Sequence, residues 1–167
     1  MGFFDKLMGK AQPASVTFPI ELGAPALGTV VAMADIPDAV FSIGVLGTCV
    51  GVDPSEGKVY APVDGKITQL AETLHAVGLE AGGMEILIHV GVDTVEMKGD
   101  GFKSLVKEGQ TVKKGDLLMT IDIGKIAAAG HPATVIMALT NTDDFASVEA
   151  TSTGTIQPGN SILRVSK

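Results

Sequence analysis

Short apolar segments separated by turn-forming residues fill the chain from Val16 onward, and this spacing restricts the fold more than any other feature. There are 21 glycines among 167 residues. Short runs rich in Val and Ile between Gly, Pro, Asp and Asn are typical of strands, and many of them in one chain favour a closed or layered β architecture. We therefore predict an all-β domain, a β-sandwich or barrel-sandwich hybrid with short helical turns. The predicted strands are "VTFPIEL", "GTVVAM", "AVFSIGV", "CVGV", "KVYAPV", "GKITQL", "MEILIHVGV", "DLLMTID", "TVIMALT" and "SILRVSK".

Two stretches predict brief helical turns instead. One is "GDGFKSLVKEGQ", and the other is "DIGKIAAAG", which Gly130 and Pro132 would end.

The first fifteen residues follow a different pattern. Apolar side chains alternate with charged ones at helical spacing in residues 1–10, and "AQPAS" ends any helix there. We interpret residues 1–15 as an amphipathic segment and linker and residues 16–167 as the folded domain. Residues 1–10 would be a frayed terminus, a helix docked on the domain, or a short helix that binds a membrane surface only weakly, because one or two turns bury little apolar area.

Charge and cysteine content exclude several classes of protein. The net charge of -7 argues against nucleic-acid binding, since no basic stripe exists to neutralise phosphates. The single cysteine, Cys49, cannot form an internal disulfide, and no signal peptide is recognised, so we expect a cytoplasmic protein. Cys49 itself reads as a small buried hydrophobic residue.

Two of the three histidines lie in "LHAVGLEAGGMEILIHVGVDTVEM", and this stretch is the candidate functional site. The simplest structure for it is a β-hairpin. Gly82 lies midway between His75 and His89 in the sequence. A hairpin centred on Gly82 therefore places the two imidazoles directly opposite each other. Opposed residues share one face with Cβ atoms about 5 Å apart. Two imidazoles at that distance can hold a small anion or a metal ion, or the pair can be an ordinary part of the core.

Two other site types fit the sequence poorly. "APVDGKI" and "VKEGQTVKKGD" resemble carrier domains with a modified lysine, but the only candidate, Lys98 after Met97, lacks the expected surroundings. A zinc peptidase of the lysostaphin type needs His-x-x-x-Asp and His-x-His elements. Leu79 lies four residues after His75, and Gly91 lies two residues after His89, so both elements are missing.

The segment "EILIHVGVDTVEMKGDGF" resembles the active-site signature of the glucose-type enzyme IIA proteins of the bacterial phosphoenolpyruvate-dependent sugar phosphotransferase system. The resemblance continues through "PDAVF", "APVDGKI", "TLHA" and "VKEGQTVKKGD", and the opening "MGFFDKL" is similar to the amphipathic start of some free-standing members.

This resemblance implies a phosphohistidine relay. His89 matches the residue that accepts a phosphoryl group from the phosphocarrier protein HPr and passes it to a cysteine of the enzyme IIB domain of a sugar permease. His75 matches the histidine that stabilises the phosphoryl group, and Thr73 matches a hydroxyl that orients His75. A backbone carbonyl such as that of Gly91 would fix the tautomer of His89.

The resemblance also implies a docking face for these partners. Asp38, Asp93 and Glu96 match an acidic rim, which would attract a basic partner surface. Val40, Phe41 and Val95 match an apolar ring.

This chain differs from many relatives in the residues around the histidines. Relatives often have phenylalanines near the histidines, where this chain has Ala71, Val77 and Leu87, so we expect a flatter face. His131 matches no site position and reads as a loop residue.

The resemblance leaves two further roles open for the histidine pair. No cofactor is required, but His75 and His89 would share a zinc ion with a carboxylate from a bound partner. The unphosphorylated protein would bind and inhibit transporters or kinases of other sugars.

Overall fold

The described residues, 16–167 of a computed structural model, form strands connected by short turns. The strands are β1 (Ile20–Gly23), β2 (Gly28–Val31), β3 (Thr48–Pro54), β4 (Lys58–Tyr60), β5 (Gly65–Leu70), β6 (Ala76–Ala81), β7 (Met84–Val90), β8 (Phe102–Ser104), β9 (Thr111–Val112), β10 (Leu117–Ile121), β11 (Val135–Leu139), β12 (Ser147–Ala150), β13 (Thr155–Ile156) and β14 (Ser161–Ser166). Two short helices, α1 (Ala39–Ser42) and α2 (Ile123–Ala128), interrupt them. There are 3₁₀ turns at Met33–Asp35, Thr94–Met97 and Thr142–Asp144.

Three sheets enclose the main core, which confirms the predicted all-β, layered fold. The largest has eight strands in the order β13-β2-β3-β11-β7-β6-β5-β9, and two three-stranded sheets have the orders β1-β14-β12 and β4-β10-β8. All three contribute to one apolar cluster, with for example Ile88, Val165 and Met119 fully buried. Within residues 16–167, no helix has the length and apolar character needed to cross a membrane.

The predicted strand "AVFSIGV" is wrong, because its first half is helix α1. The carboxylate of Asp38 accepts hydrogen bonds from the backbone N–H groups of Val40 (2.8 Å) and Phe41 (3.1 Å). A side-chain oxygen at this position satisfies donors that a helix start leaves without partners. This local cap outweighs the β preference of Val40 and Phe41.

One of the two predicted helical turns is also wrong. Within "GDGFKSLVKEGQ", Phe102–Ser104 is strand β8, which pairs antiparallel with β10. The pairing partner lies some fifteen residues away in sequence, so local pattern does not reveal it. The second turn is confirmed as α2, where Asp122 accepts from the backbone N–H of Lys125.

The histidine stretch does form a hairpin, β6–β7, but the predicted register is wrong by one residue. Ala76, not His75, lies opposite His89, and the last pair before the turn is Ala81 with Met84. The turn therefore contains two residues, Gly82 and Gly83, with φ values of 55° and 85°. Positive φ at both central residues is the type I′ geometry that matches strand twist, and glycine adopts it without strain. A two-residue turn centres the hairpin between the glycines rather than on Gly82.

Truncating the core side of β7 is expected to destabilise the fold. Ile88 is fully buried, so Ile88→Ala is expected to lower the free energy of unfolding by about 3 kcal/mol through lost burial and a cavity. Urea denaturation measures this change. The same substitution at Ile43, whose side chain is 74% exposed, is expected to cost under about 0.5 kcal/mol. Equal losses at the two positions would contradict the placement of Ile88 in the core.

Candidate functional site

His89 lies near the middle of the eight-stranded sheet, on its outer face. It is paired with Ala76 of β6 on one side and with Ile136 of β11 on the other. Strand alternation directs its neighbours Ile88 and Val90 into the main core, where both are fully buried. The backbone around His89 is thus held by two strands and by packing beneath it, which is how a rigid scaffold positions a reactive side chain.

His75 reaches His89 although the two are not directly opposite. Strand β6 begins at Ala76, and Leu74 just before it has a left-handed φ of 61°. The chain therefore turns at the strand end, and the His75 ring lies beside that of His89, with ring centroids 5.0 Å apart and an interplanar angle of 81°. The Val90 N–H donates to the His75 carbonyl at 2.7 Å and fixes this end of the hairpin.

Each histidine has its Nδ1 atom in a hydrogen bond. Nδ1 of His75 is 2.7 Å from the hydroxyl of Thr73, and Nδ1 of His89 is 2.8 Å from the carbonyl oxygen of Gly91. A carbonyl only accepts, so Nδ1 of His89 must carry the proton. Neutral His89 then has its lone pair on Nε2.

Phe41 covers the buried side of His89. Its ring centroid is 5.1 Å from that of His89, and its side chain is only 4% exposed. It belongs to a second, small apolar cluster between α1 and the outer face of the sheet, together with residues such as Ile136 and Cys49. Phe41 therefore belongs to the packing beneath His89 and not to an exposed docking surface.

Burial lowers the pKa of both histidines below the ordinary value of 6.5. For His89, burial outweighs the hydrogen bond to Gly91 and the charges of Asp38 and Asp93, which act in the opposite direction. For His75, burial is again the largest cause, and repulsion from His89 adds to it. Both rings are therefore neutral at pH 7, as a nucleophilic imidazole must be.

Removing the Phe41 ring is expected to raise the pKa of His89. Phe41→Ala admits water beside the imidazole, which reduces the burial penalty on the charged form. NMR titration of His89 is expected to give a pKa below 6.5 in the wild type and a value closer to 6.5 in the variant. Phe145→Ala, which removes an aromatic ring that packs on Phe18 instead, is the control. An unchanged titration of His89 in Phe41→Ala would contradict this role of Phe41.

The three carboxylates predicted for the rim occupy different surroundings. Asp38 is half-buried and caps α1. Asp93 is exposed and has a left-handed φ of 61° before the 3₁₀ turn. Glu96 is exposed within that turn, and its carboxylate is 3.8 Å from Nε2 of His131. The charges of Asp38 and Asp93 act on His89, so these two lie near the imidazole.

Two of the three apolar residues predicted for the ring are exposed. Val40 is 45% and Val95 48% exposed. The sequence analysis missed Ile43, Val45 and Leu46, which follow α1 and are also exposed. The sequence analysis did not predict that these side chains are exposed, because it interpreted most of this segment as a strand. Large exposed apolar side chains grouped in one segment mark interaction surfaces.

A shallow depression of about 260 Å³ lies on the outer face beside the hairpin. Ala71 and Leu87 line it, together with Gln69, Ala76 and Gly78. Val77 does not belong there, because it is fully buried in the main core. Small side chains thus leave a recess on this part of the face.

The remaining candidates lie outside the histidine pair. Cys49 is 3% exposed, as predicted, and burial raises the pKa of its thiol to about 11, which leaves it unreactive. His131 lies in the loop before β11, with Nε2 3.8 Å from the carboxylate of Glu96. No group of three or more His, Cys, Asp or Glu side chains within residues 16–167 is arranged to hold a metal ion.

Comparison with known proteins identifies the family. The family profile described as phosphoenolpyruvate-dependent sugar phosphotransferase system, EIIA 1, matches residues 20–145, which include both site histidines. The chain belongs to this EIIA family. A glucose-specific EIIA component of Bacillus cereus is 43% identical over 149 residues, with 89% of this chain and 88% of the relative covered. The glucose-specific EIIA component of Haemophilus influenzae is 37% identical, with 98% and 97% covered.

Longer relatives contain an EIIA part within a larger chain. The β-glucoside-specific EIIBCA component of Bacillus subtilis is 38% identical over 95% of this chain, which spans only 26% of that relative. Among solved structures, glucose permease IIA from Mycoplasma capricolum superimposes with a TM-score of 0.79 at 30% identity, and 89% of this chain and 96% of that chain are covered. These matches agree with the EIIA fold predicted from the sequence.

Proposed function

We propose that this EIIA protein is a phosphocarrier in which His89 is the phosphoryl acceptor and His75 stabilises the phosphoryl group. One observation carries the proposal: the two imidazoles lie side by side, each with Nδ1 held in a hydrogen bond. Nε2 of His89 is then the nucleophile, and Nε2 of His75 is left to contact the phosphoryl oxygens.

The chemistry needs little beyond positioning and charge stabilisation. The Nε2 lone pair of His89 forms a bond to phosphorus while the bond from phosphorus to the donor breaks, and the donor keeps that electron pair. The Nδ1–H of His89 remains hydrogen-bonded to the Gly91 carbonyl throughout. If the Thr73 hydroxyl donates to Nδ1 of His75, the proton of neutral His75 is on Nε2, where it donates to a phosphoryl oxygen.

HPr is the proposed donor, and a cysteine of an enzyme IIB domain is the proposed acceptor. Relatives whose names combine EIIB, EIIC and EIIA in one chain support an IIB partner. Asp93 and Glu96 are exposed near the site, and the net charge is -7, so a basic partner surface would be attracted. Exposed Val40 and Val95 would supply apolar contacts at the same face.

The same face also suits regulatory binding of the unphosphorylated protein to transporters or kinases. Exposed Ile43 and Val45, just after α1, favour contact with a protein partner, and a phosphoryl group on His89 would oppose apolar docking at the site through its charge. A zinc ion at this interface fits only in part. His75 and His89 offer two nitrogen ligands, so a partner must supply the others.

Location at the inner membrane face remains a prediction. A cytoplasmic EIIA protein with a weakly membrane-binding segment suits a permease as partner. The amphipathic segment and the linker, residues 1–15, lie outside the described residues.

Phosphoryl transfer in a purified system tests the proposal. The protein is mixed with cognate enzyme I, HPr and phosphoenolpyruvate, and its intact mass is measured without acid. We expect the added mass of one phosphoryl group, its loss in acid, and its loss on adding a IIB domain. An unchanged mass with active donors would overturn the phosphocarrier proposal.

A further inference from the structure

Thr94 is a fully buried threonine in the 3₁₀ turn after β7, the strand that carries His89. Its hydroxyl donates to the carbonyl oxygen of Val90. A second buried threonine, Thr134, is 2% exposed and binds the carboxylate of Asp53 at 2.6 Å instead. The two residues have the same side chain and similar burial but different partners.

The Val90 main chain connects Thr94 to both histidines. The Val90 N–H donates to the carbonyl of His75 at 2.7 Å, while its carbonyl accepts from Thr94. The next residue, Gly91, supplies the carbonyl that accepts from Nδ1 of His89 at 2.8 Å. A change in the Val90 and Gly91 backbone would therefore disturb the imidazole contact of His89 and the backbone contact of His75.

Gly91 needs an external restraint to hold its conformation. Its φ of 83° lies in the left-handed region, and glycine there has more freedom than any other residue. The methyl group of Thr94 packs against it, in the space where a Cβ at Gly91 would project. Gly91 N–H donates to the Thr134 carbonyl at 2.8 Å, and Val92 N–H donates to the Pro132 carbonyl at 3.0 Å.

The direction of the Gly91 carbonyl follows from these restraints. In a trans peptide the C=O and the following N–H point in opposite directions. Because the Val92 N–H donates to the Pro132 carbonyl, the Gly91 carbonyl points away from the 131–134 loop and towards Nδ1 of His89. Thr94 holds the preceding peptide unit in the matching orientation.

We propose that Thr94 is a positioning residue for phosphoryl transfer, which holds the Val90–Gly91 main chain so that the Gly91 carbonyl keeps the proton of His89 on Nδ1. This rests on the proposed function of His89 as acceptor. Without the hydroxyl, the Val90–Gly91 unit gains freedom, and part of the His89 population carries its proton on Nε2. That tautomer has no lone pair for attack at Nε2.

The test compares Thr94→Val, which keeps the shape and loses the hydroxyl, with Thr94→Ser, which keeps the hydroxyl. Thr134→Val is the matched control, because it removes an equally buried hydroxyl without a side-chain contact to this main-chain unit. The tautomer of neutral His89 is read from its ¹⁵N imidazole chemical shifts. The rate constant of phosphoryl uptake from phosphorylated HPr is measured in parallel.

We expect Thr94→Val to give a mixture of tautomers and to slow uptake about tenfold, as loss of one aligning hydrogen bond predicts. Thr94→Ser and Thr134→Val are expected to keep the wild-type tautomer and a rate within about threefold of it. If Thr94→Val does not fold, Thr94→Ala is compared with Thr94→Ser instead, which again tests the loss of the hydroxyl. A wild-type tautomer and rate in the folded variant, or an equal change in Thr134→Val, would overturn the proposal.

Failure of the proposed function gives a different result. If the wild type takes up no phosphoryl group from active donors, the acceptor role of His89 fails. The ¹⁵N shifts still decide whether Thr94 controls the His89 tautomer.

Discussion

Replacing His89 by alanine is expected to abolish phosphoryl uptake. The Gly91 carbonyl holds the proton of His89 on Nδ1, so the variant loses the Nε2 lone pair that is proposed as the nucleophile. Removal of a covalent nucleophile commonly costs more than about 10³-fold in rate. The intact mass of His89→Ala after incubation with enzyme I, HPr and phosphoenolpyruvate is therefore expected to remain unchanged.

His131→Ala is the control for this experiment, because it removes a histidine that lies outside the pair. It is expected to take up one phosphoryl group like the wild type. Persistent uptake in His89→Ala, with loss in His75→Ala, would instead make His75 the acceptor and contradict the proposed assignment.

Replacing His75 by glutamine is expected to separate uptake from onward transfer. Uptake should remain within about tenfold of the wild type, because the nucleophile His89 and its Gly91 contact are unchanged. Transfer to IIB should slow by about 10²-fold or more, because the glutamine amide cannot become positively charged, as an imidazole can, beside the phosphoryl group in the transition state. The difference arises because the attacking cysteine is an anionic thiolate, which adds negative charge near the phosphoryl group, whereas neutral His89 does not.

Quenched-flow transfer from phosphorylated protein to a IIB domain measures this second step. Thr73→Val is a graded comparison, because it leaves His75 in place and removes only the hydroxyl 2.7 Å from its Nδ1. It is expected to slow onward transfer about tenfold. Onward transfer at the wild-type rate in His75→Gln would remove His75 from the mechanism.

Much of the fold was predictable because it depends on local pattern. Short apolar runs mark strands such as β7 and β11, and the glycine pair Gly82–Gly83 marks a turn. The wrong assignments have different causes. Strand β8 exists because β10 lies beside it, and α1 exists because Asp38 caps it against the β preference of its own residues.

The residues of the candidate site could be proposed from the sequence, but their geometry could not. The resemblance identified His75, His89 and Thr73, and the residues alone indicated a hairpin. The assumed register was wrong, because a type I′ turn over Gly82 and Gly83 shifts the pairing by one residue.

The sequence by itself determined the all-β class, the hairpin and the EIIA family, since these follow from residue type and order. Only the tertiary structure decided how the histidines meet. Pairing β7 between β6 and β11 turns His89 outward, and a left-handed residue at Leu74 brings His75 to it. Phe41 packs over His89 from a distant part of the chain, and burial lowers the pKa of this imidazole. Such contacts depend on which elements lie side by side in the folded sheet, and local residue patterns do not specify this.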